Sequence, residues 1–472
     1  MVADSRVIDV SALIDDQPLR PFHLKIVAVL FLVMLSDGYD LQAIGFAAPG
    51  IVKMLGGDRT MLGPVFSASV VGMLFGAPFF GWVGDRFGRR VALLSGVLIY
   101  GAVTLAGATA DSLTELLVLR FFTGVGLGGV PANVVALVAE YAPKRIRATM
   151  IVCAQLGLTI GSMLPALASA GLEADYGWRS LFVVGGTAPL LISVVIFFAL
   201  PESLKYLVAT MKDPRRLARI AGQLDPTLRR ATDLTFILPE AAIAGARRFH
   251  VKQLFANGMI WITPVIWGLY VTFMTANYFL HGWMPILFRD EGLSIKETAV
   301  AAAMFDVGGV FGALLASRML DRFGLIAIVV LYGLACPAVA FIGIVGNSVY
   351  SLGAIIFIAG FCLIGLTLSL GAVVGMTYPT EIRAKGVGWA YGIGRFCSML
   401  SPMVGSWLIA MRLPISQLFL APVVPLMVGI ALATTLMRLF AKRMNVAALD
   451  VRPREIGPEP IGKPLPNLEQ AS

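Results

Sequence analysis

Residues 24–48 read LKIVAVLFLVMLSDGYDLQAIGFAA, an apolar run that carries two carboxylates, Asp37 and Asp40, near its middle. About 20 apolar residues are enough to cross the hydrocarbon core of a bilayer as a helix. An acidic side chain at the centre of such a helix costs about 2.5–3.5 kcal/mol on insertion scales, so two of them need a protein interior or a watery path beside them. A separation of three residues predicts that both share one face of the helix. Two readings follow from the residues. The aspartates pair with basic side chains on neighbouring helices, or at least one takes up and releases a proton, because removal from water favours the neutral form of a carboxylate.

The rest of the 472 residues repeats this pattern. Hydrophobic residues make up 58% of the chain and charged ones 14%, far from the composition of a soluble globular domain. Apolar runs of spanning length recur near 24–48, 60–83, 91–110, 113–139, 149–170, 179–200, 258–286, 297–318, 325–346, 350–377, 386–410 and 415–438. The expected fold is therefore an all-α membrane protein of twelve transmembrane helices.

Net charge is +9, yet its distribution points away from a nucleic acid. Arg86, Arg89, Arg90, Lys144, Arg145, Arg147, Arg318, Arg322, Arg383 and Lys385 fall in loops on one side, with the long central loop and the C-terminal tail. Only Lys53, Arg59, Arg179, Arg289, Lys296 and Arg412 fall on the other. The positive-inside rule then places both termini in the cytoplasm. The opening residues, with Asp4, Asp9, Asp15 and Asp16, carry no apolar signal core, so helix 1 itself is expected to direct insertion. Cys153, Cys336, Cys362 and Cys397 lie in spans without metal-ligand spacing and read as small packing residues.

Five segments result: a cytoplasmic N-terminal tail (1–23), a six-helix bundle (24–200), a polar and basic cytoplasmic linker with short surface helices (201–257), a second six-helix bundle (258–440) and a disordered cytoplasmic tail (441–472). The bundles are related by a repeat. Gly84-Asp85-Arg86-Phe87-Gly88 is answered by Leu320-Asp321-Arg322-Phe323-Gly324, and Ile146-Arg147-Ala148 by Ile382-Arg383-Ala384, at the same offset. Two parallel halves with a ligand held between them near midplane are the architecture of alternating-access carriers.

These residues carry a resemblance. Gly81-Trp82-Val83-Gly84-Asp85-Arg86-Phe87-Gly88-Arg89-Arg90 is similar to the signature loop of the major facilitator superfamily. Within it, four stretches resemble the bacterial aromatic acid:proton symporters: Asp37-Gly38-Tyr39-Asp40 into Ile44-Gly45-Phe46 and Pro49; Arg120-Phe121-Phe122-Thr123-Gly124 through Glu140-Tyr141-Ala142-Pro143; Pro201-Glu202-Ser203; and Gly386-Val387-Gly388-Trp389 through Gly392-Ile393-Gly394-Arg395. The resemblance implies a major facilitator fold in the bacterial inner membrane, import of a benzoate-type or hydroxybenzoate-type acid with protons, and a role for both Asp37 and Asp40. It departs from the family at Pro131-Ala132-Asn133, where proline usually precedes asparagine directly, and at His281-Gly282, where a leucine-asparagine type pair is expected.

Such a carrier needs a protonatable carboxylate, a fixed cation and a slot for a ring, since an imported anion works against about 2.3 kcal/mol per 100 mV of inside-negative potential. Asp37 and Asp40 are the proton candidates and would titrate as a coupled pair. Arg395, with Tyr391 on its face, suits bidentate contact with a carboxylate, or pairs structurally with one of the aspartates. Arg120 is a second substrate candidate, or an arginine that snorkels to the membrane edge. Tyr270, Asn277 and His281, near Trp267 and Phe273, form a polar and aromatic stripe that holds a ring or simply packs, and His281 offers a second protonatable group. Asp85, Arg89, Glu140, Arg147, Asp321 and Arg383 suit a gate latch of loop charges that parts in one state.

No cofactor is expected. Gly124-Val125-Gly126-Leu127-Gly128-Gly129 matches a dinucleotide fingerprint inside a membrane span, without the strand that the motif requires. No Walker sequence is present, and helix 5, with Gly157, Gly161 and Pro165, lacks the Gly-Pro pair of drug/proton antiporters. The expected protein is a monomeric, multi-pass symporter, not an enzyme. A symporter or facilitator of a sugar or aliphatic acid is the alternative in the same class, since Pro201-Glu202-Ser203 also occurs in sugar carriers. A transporter-like sensor of aromatic acids is the alternative in another class.

Overall fold

The structure, a computed structural model, describes residues 6–55, 59–210, 214–225, 228, 234–237, 251–256, 258–344, 349–378 and 382–450. Among these, twelve helical spans follow one another, numbered here in chain order. Helices 1 to 6 are Pro21–Leu55, Leu62–Phe87, Arg89–Gly107, the pair Leu113–Gly128 and Val130–Tyr141, Arg147–Ala168, and Arg179–Ala199. Helices 7 to 12 are Ile262–Asp290, Ile295–Phe323, Ile326–Ile342, Val349–Thr377, the pair Arg383–Ser398 and Ser401–Ala410, and Val423–Asp450. Among the described residues, eight helices are long and apolar enough to cross a membrane by length and composition.

Lipid offers no hydrogen bonds to the backbone, so each span must satisfy its own amides as a helix, and packing then decides the fold. In the first half, helix 1 packs on 5, 2 on 4 and 3 on 6. In the second half, 7 packs on 11, 8 on 10 and 9 on 12. The halves meet through helices 1 and 7, 2 and 11, and 5 and 8, an arrangement that maps onto itself when the halves are exchanged. We call the end bearing the Arg86, Arg147, Arg322 and Arg383 loops the basic end, and the other the far end.

The repeat reaches well beyond the loops. Glycine occupies positions 72, 76 and 124 and again 308, 312 and 360, at the offset that relates Arg147 to Arg383. A Cβ at Gly72 would strike the carbonyl of Phe121, and one at Gly308 that of Phe357; Gly76 meets Val125 and Gly312 meets Phe361; Gly124 meets Ser69 and Gly360 meets Phe305. Every partner stands at that same offset from its counterpart. Helices 2 and 4, and 8 and 10, are thus held at backbone contact by the same device. Arg147 Nε donates to the Ala142 carbonyl at 3.2 Å and Arg383 Nε to the Tyr378 carbonyl at 3.4 Å, closing the corresponding turn in each half.

Three features differ from the sequence reading. Helix 1 runs past Ala48 to Leu55, because Pro49 tilts a helix without ending it when only the bond to the preceding turn is lost. The expected N-terminal tail is structured from Arg6: β1 (Arg6–Asp9) pairs in parallel with β2 (Leu234–Ile237) of the linker, and Val10 and Ile14 bury in one cluster with Leu204, Leu207 and Leu217. Helix 12 continues to Asp450, so the residues at the start of the expected disordered tail are helical; residues 451–472 lie outside the described ones. The linker does hold short helices, Leu204–Thr210 and Pro214–Leu224, while Lys212, Arg229, Arg230, Arg247 and Arg248 lie outside the described residues.

The matched glycines carry a testable consequence. Gly124→Leu and Gly360→Leu should each lower the thermal stability of the purified protein in detergent by a similar amount, since overpacking a close contact costs about 1–3 kcal/mol or more. Gly333→Leu, where nothing lies within 4 Å, should be nearly neutral. Equal melting curves for all three would refute the shared packing device.

Candidate functional site

Helix 1 is buried from Ser36 to Ala48 except at Leu41, which is how a membrane helix tolerates carboxylates on it. The two aspartates nevertheless part company. Three residues of α-helix turn the chain by about 300°, leaving side chains about 60° apart, and here that angle divides two environments.

Asp40 looks into the first half. Its Oδ2 lies 3.1 Å from Arg120 Nη1 of helix 4, and its Oδ1 accepts from Thr104 Oγ1 of helix 3 at 2.7 Å. Arg120 is 2% exposed and its guanidinium stacks 4.7 Å above the Phe182 ring of helix 6. Snorkelling to the membrane edge therefore does not describe it: the partner on helix 1 holds the arginine inside, where leaving it unpaired would be costly. Arg120 shares its charge with Asp40, and its buried Nη2 has no partner among the described residues.

Asp37 looks towards the second half. It is 2% exposed and, among the described residues, forms no hydrogen bond and no ion pair; it lies in the field of Arg395. Arg395 stands midway along helix 11, with Nη2 donating to the Met73 sulfur of helix 2 at 2.7 Å and the guanidinium 5.8 Å from the Tyr391 ring. It also interacts with Tyr278 of helix 7. Its buried Nε has no partner. A guanidinium has five donors, and this one has spent them poorly: a thioether is a weak acceptor. Tyr270 packs edge-on to Tyr391, ring centroids 6.4 Å apart, and Trp267 stacks on Trp389 at 6.2 Å, extending an aromatic wall along helices 7 and 11.

The stripe expected on helix 7 divides in the same way. Tyr270 joins the wall, whereas Asn277 keeps a buried Oδ1 without a partner. His281 turns to helix 8, its Nε2 3.5 Å from Asp306 Oδ1 and its Nδ1 3.2 Å from the Asn277 carbonyl. Asp306 is absent from the residues expected of the site, although a carboxylate inside span 297–318 is the same signal that marks Asp37. Tyr278, Met73 and Ser162 are absent from them too, being ordinary residues for a membrane helix.

The loop charges assemble only in part. Arg89 lies 2.6 Å from Asp85, 3.7 Å from Glu140 and 3.4 Å from Asn133 Oδ1, so helices 3 and 4 are clasped at the basic end. Arg147 instead meets Asp15 of the N-terminal segment at 3.3 Å, beside Lys144 at 2.8 Å. Among the described residues neither Asp321 nor Arg383 forms an ion pair, so the six expected latch residues are not brought together. The halves are clamped at the far end. There Arg59 pairs with Asp290, Gly63 N donates to Ser406 Oγ at 2.8 Å, Ser67 Oγ donates to the Met399 carbonyl at 2.7 Å, and Phe66 meets Trp283 edge-on. Glu202 accepts from the backbone of Arg90 and Ser203, and its carbonyl accepts from Tyr141. The Pro201-Glu202-Ser203 segment thereby clasps the start of helix 3, away from the aromatic wall.

The Major Facilitator Superfamily model matches residues 30–370. The 4-hydroxybenzoate transporter PcaK of Pseudomonas aeruginosa is 35% identical over 89% of this chain and 93% of its own, and the gallate transporter of Pseudomonas putida is 33% identical over 87% and 91%. The crystal structure of a bacterial homolog to the human lysosomal transporter Spinster, in an inward-facing and occupied conformation, shares the fold with a TM-score of 0.68 at 19% identity, over 90% of this chain and 99% of that one. The chain belongs to the major facilitator superfamily.

Breaking the buried pair should be more harmful than removing it. Arg120→Ala leaves the Asp40 charge alone and should cost about 3–5 kcal/mol, seen as a large fall in melting temperature in detergent. The double change Arg120→Gln with Asp40→Asn should recover much of it. An unshifted melting temperature for Arg120→Ala would show that the pair is not a structural support.

Proposed function

We propose that this member of the superfamily imports a small aromatic carboxylate, of the benzoate and hydroxybenzoate class, in symport with protons by alternating access. The observation that carries the reading is Arg395: a guanidinium at the junction of the halves, with an unpartnered buried Nε, a thioether as its hydrogen-bond acceptor, and Tyr391, Tyr278 and Tyr270 around it. This is what a site needs for a flat acid: a fork of donors for the carboxylate and apolar faces for the ring. The 4-hydroxybenzoate and gallate transporters among its relatives carry ligands of that class.

Coupling follows from the pairing of charges. A fixed arginine partner is not available to Asp37 in its own half, since Asp40 already holds Arg120. Asp37 and a bound carboxylate therefore compete for the one positive field of Arg395. When Asp37 is protonated the field is free for substrate; when substrate leaves, Asp37 ionises in its place. One proton moving with one monoanion removes the cost of about 2.3 kcal/mol per 100 mV.

In this reading the protein sits as a monomer in the bacterial inner membrane with both termini and the basic end in the cytoplasm, as the distribution of lysine and arginine supports. The far-end clamp then makes this an inward-facing state, and Asp85, Arg89, Glu140, Arg147, Asp321 and Arg383 would serve as the cytoplasmic gate of the opposite state. The Glu202 contacts take the sugar-carrier segment out of the substrate path, which favours an acid over a sugar.

Uptake of labelled 4-hydroxybenzoate into vesicles with an imposed inward proton gradient tests the reading. Accumulation should collapse with a protonophore and yield to benzoate or gallate but not to glucose. Arg395→Lys should raise KM at least tenfold, about 1.4 kcal/mol, at normal membrane abundance. Asp37→Asn should accumulate less substrate at a given proton gradient while substrate exchange across the membrane persists. Accumulation by Asp37→Asn equal to that of the wild type would remove it as a proton carrier. Asp85→Asn should stop uptake with the protein still in the membrane; retained uptake would refute the gate.

A further inference from the structure

Asp306 is the second carboxylate buried at depth in a span and held by no arginine or lysine among the described residues. It lies on helix 8, 3% exposed. Its Oδ1 is approached from both halves. Ser162 Oγ of helix 5 donates to it at 2.7 Å, across the junction, and His281 Nε2 of helix 7 approaches to 3.5 Å. Among the described residues no lysine or arginine comes within ion-pair distance of it.

The chemistry of the imidazole limits where a hydrogen can sit in an attractive contact of this kind. Nδ1 of His281 faces the Asn277 carbonyl, an acceptor with no hydrogen to give, so Nδ1 carries a hydrogen. Nε2 then bears a hydrogen only if the ring is cationic. If the ring is neutral, the lone pair of Nε2 faces Asp306, and the contact is attractive only if Asp306 supplies the hydrogen. Either arrangement places one proton between Nε2 and Oδ1. Among the described residues, the other elements packed on Asp306 form no ion pair with it. Helix 5 offers Ser162, helix 10 meets this stretch of helix 8 through backbone at Phe357 and Gly360, and Glu173 beyond the end of helix 5 faces Arg289. His281 keeps 19% of its side chain exposed, against 5% for Asp306.

We propose that His281 and Asp306 form a second proton-binding site, in the second half of the molecule, so that two protons accompany each carboxylate. This rests on the symport reading given above. Ser162 makes the site sensitive to conformation. Its hydroxyl belongs to the other half, on the far-end side of the junction, and opening the far end withdraws it from Asp306. A hydroxyl that donates to a carboxylate favours its ionised form, so the proton would be taken up while the far end is open and Ser162 is withdrawn, and released once the far end closes.

The test uses the full chain purified into proteoliposomes, with 4-hydroxybenzoate as probe and the proton gradient and membrane potential imposed separately. Two protons per monoanion make uptake electrogenic, so an inside-negative potential alone should drive accumulation by the wild type. Asp306→Asn and His281→Gln should carry one proton fewer: uptake should follow the pH gradient and ignore the potential. Potential-independent uptake by the wild type, or unchanged potential dependence in Asp306→Asn, would overturn the proposal. pH-difference infrared spectroscopy of the same preparations decides the matter without transport. A titrating carboxyl or imidazolium band lost in both variants supports the site, and a wild-type spectrum kept by Asp306→Asn overturns it. If the wild type fails to take up 4-hydroxybenzoate, the substrate reading falls and the infrared result still stands on its own.

Discussion

The Asp40–Arg120 ion pair is the interaction on which the arrangement of the first half depends. Both groups are almost wholly out of water, and each alone would be prohibitively expensive in a membrane interior. Together, with the Thr104 hydroxyl on one oxygen and the Phe182 ring against the guanidinium, they are neutral as a unit and tie helices 1, 3, 4 and 6 to one another. Ring faces attract cations, so Phe182 does more than exclude water. The consequence for function is indirect. By claiming Arg120, Asp40 leaves Asp37 with no permanent counter-ion in its own half, and the nearest one available belongs to helix 11 across the junction.

Close packing supplies the second constraint. Where glycine brings two helices into backbone contact, the pair moves as one piece, because sliding would force backbone atoms through each other. The matched glycines of helices 2 and 4, and of 8 and 10, rigidify each half in the same place. Between halves, glycine contacts occur at Gly45 and Gly63, and the polar contacts are hydroxyl to carbonyl, backbone amide to hydroxyl, an ion pair and a ring edge at the far end, with Ser162 to Asp306 and Arg395 to Met73 elsewhere along the junction. Polar contacts of this sort are individually worth little and are readily exchanged for water. Rigid halves joined by weak, hydratable contacts are the mechanical requirement for rocking about a central site.

Much of this is legible in the chain. Twelve spans follow from hydropathy because lipid leaves the backbone no alternative to helix, and the twofold frame follows from matched loops at one offset. Asp37, Asp40 and Arg395 stand out because charge inside a span is rare and needs a cause. What the chain does not show is partnership. Nothing local says that Asp40 pairs with Arg120, far along the chain, or that two carboxylates three residues apart serve different neighbours, since the small rotation between them matters only once helices 4 and 11 are in place. The loop charges look like one set because they share a side of the membrane; in the state seen here that side is not clamped, and Arg147 has found Asp15 instead. Asp306 carries the same signal as Asp37 and is easily overlooked, as it stands alone rather than in a conspicuous pair.

The frame is symmetric and the charges are not. At the offset that relates the two halves, Asp37 corresponds to Phe273 and Arg120 to Ile356, while Arg395 corresponds to Thr159 and Asp306 to Val70. Each of these charged groups of the interior thus has an uncharged counterpart in the other half, while the glycines and the loop arginines are duplicated. The packing is symmetric: matched glycines and matched arginine turns recur in the two halves. Under the proposed function, asymmetry in the charges makes the opening of either end depend on what is bound. The first half brings Asp37 without a base, and the second brings Arg395 without a carboxylate in contact and Asp306 without a base among the described residues; in the proposed reading, the carboxylate and protons at the junction complete the balance. In that reading, a carrier built this way has a reason to move only when the interior is neutral, and that is the physical content of coupling.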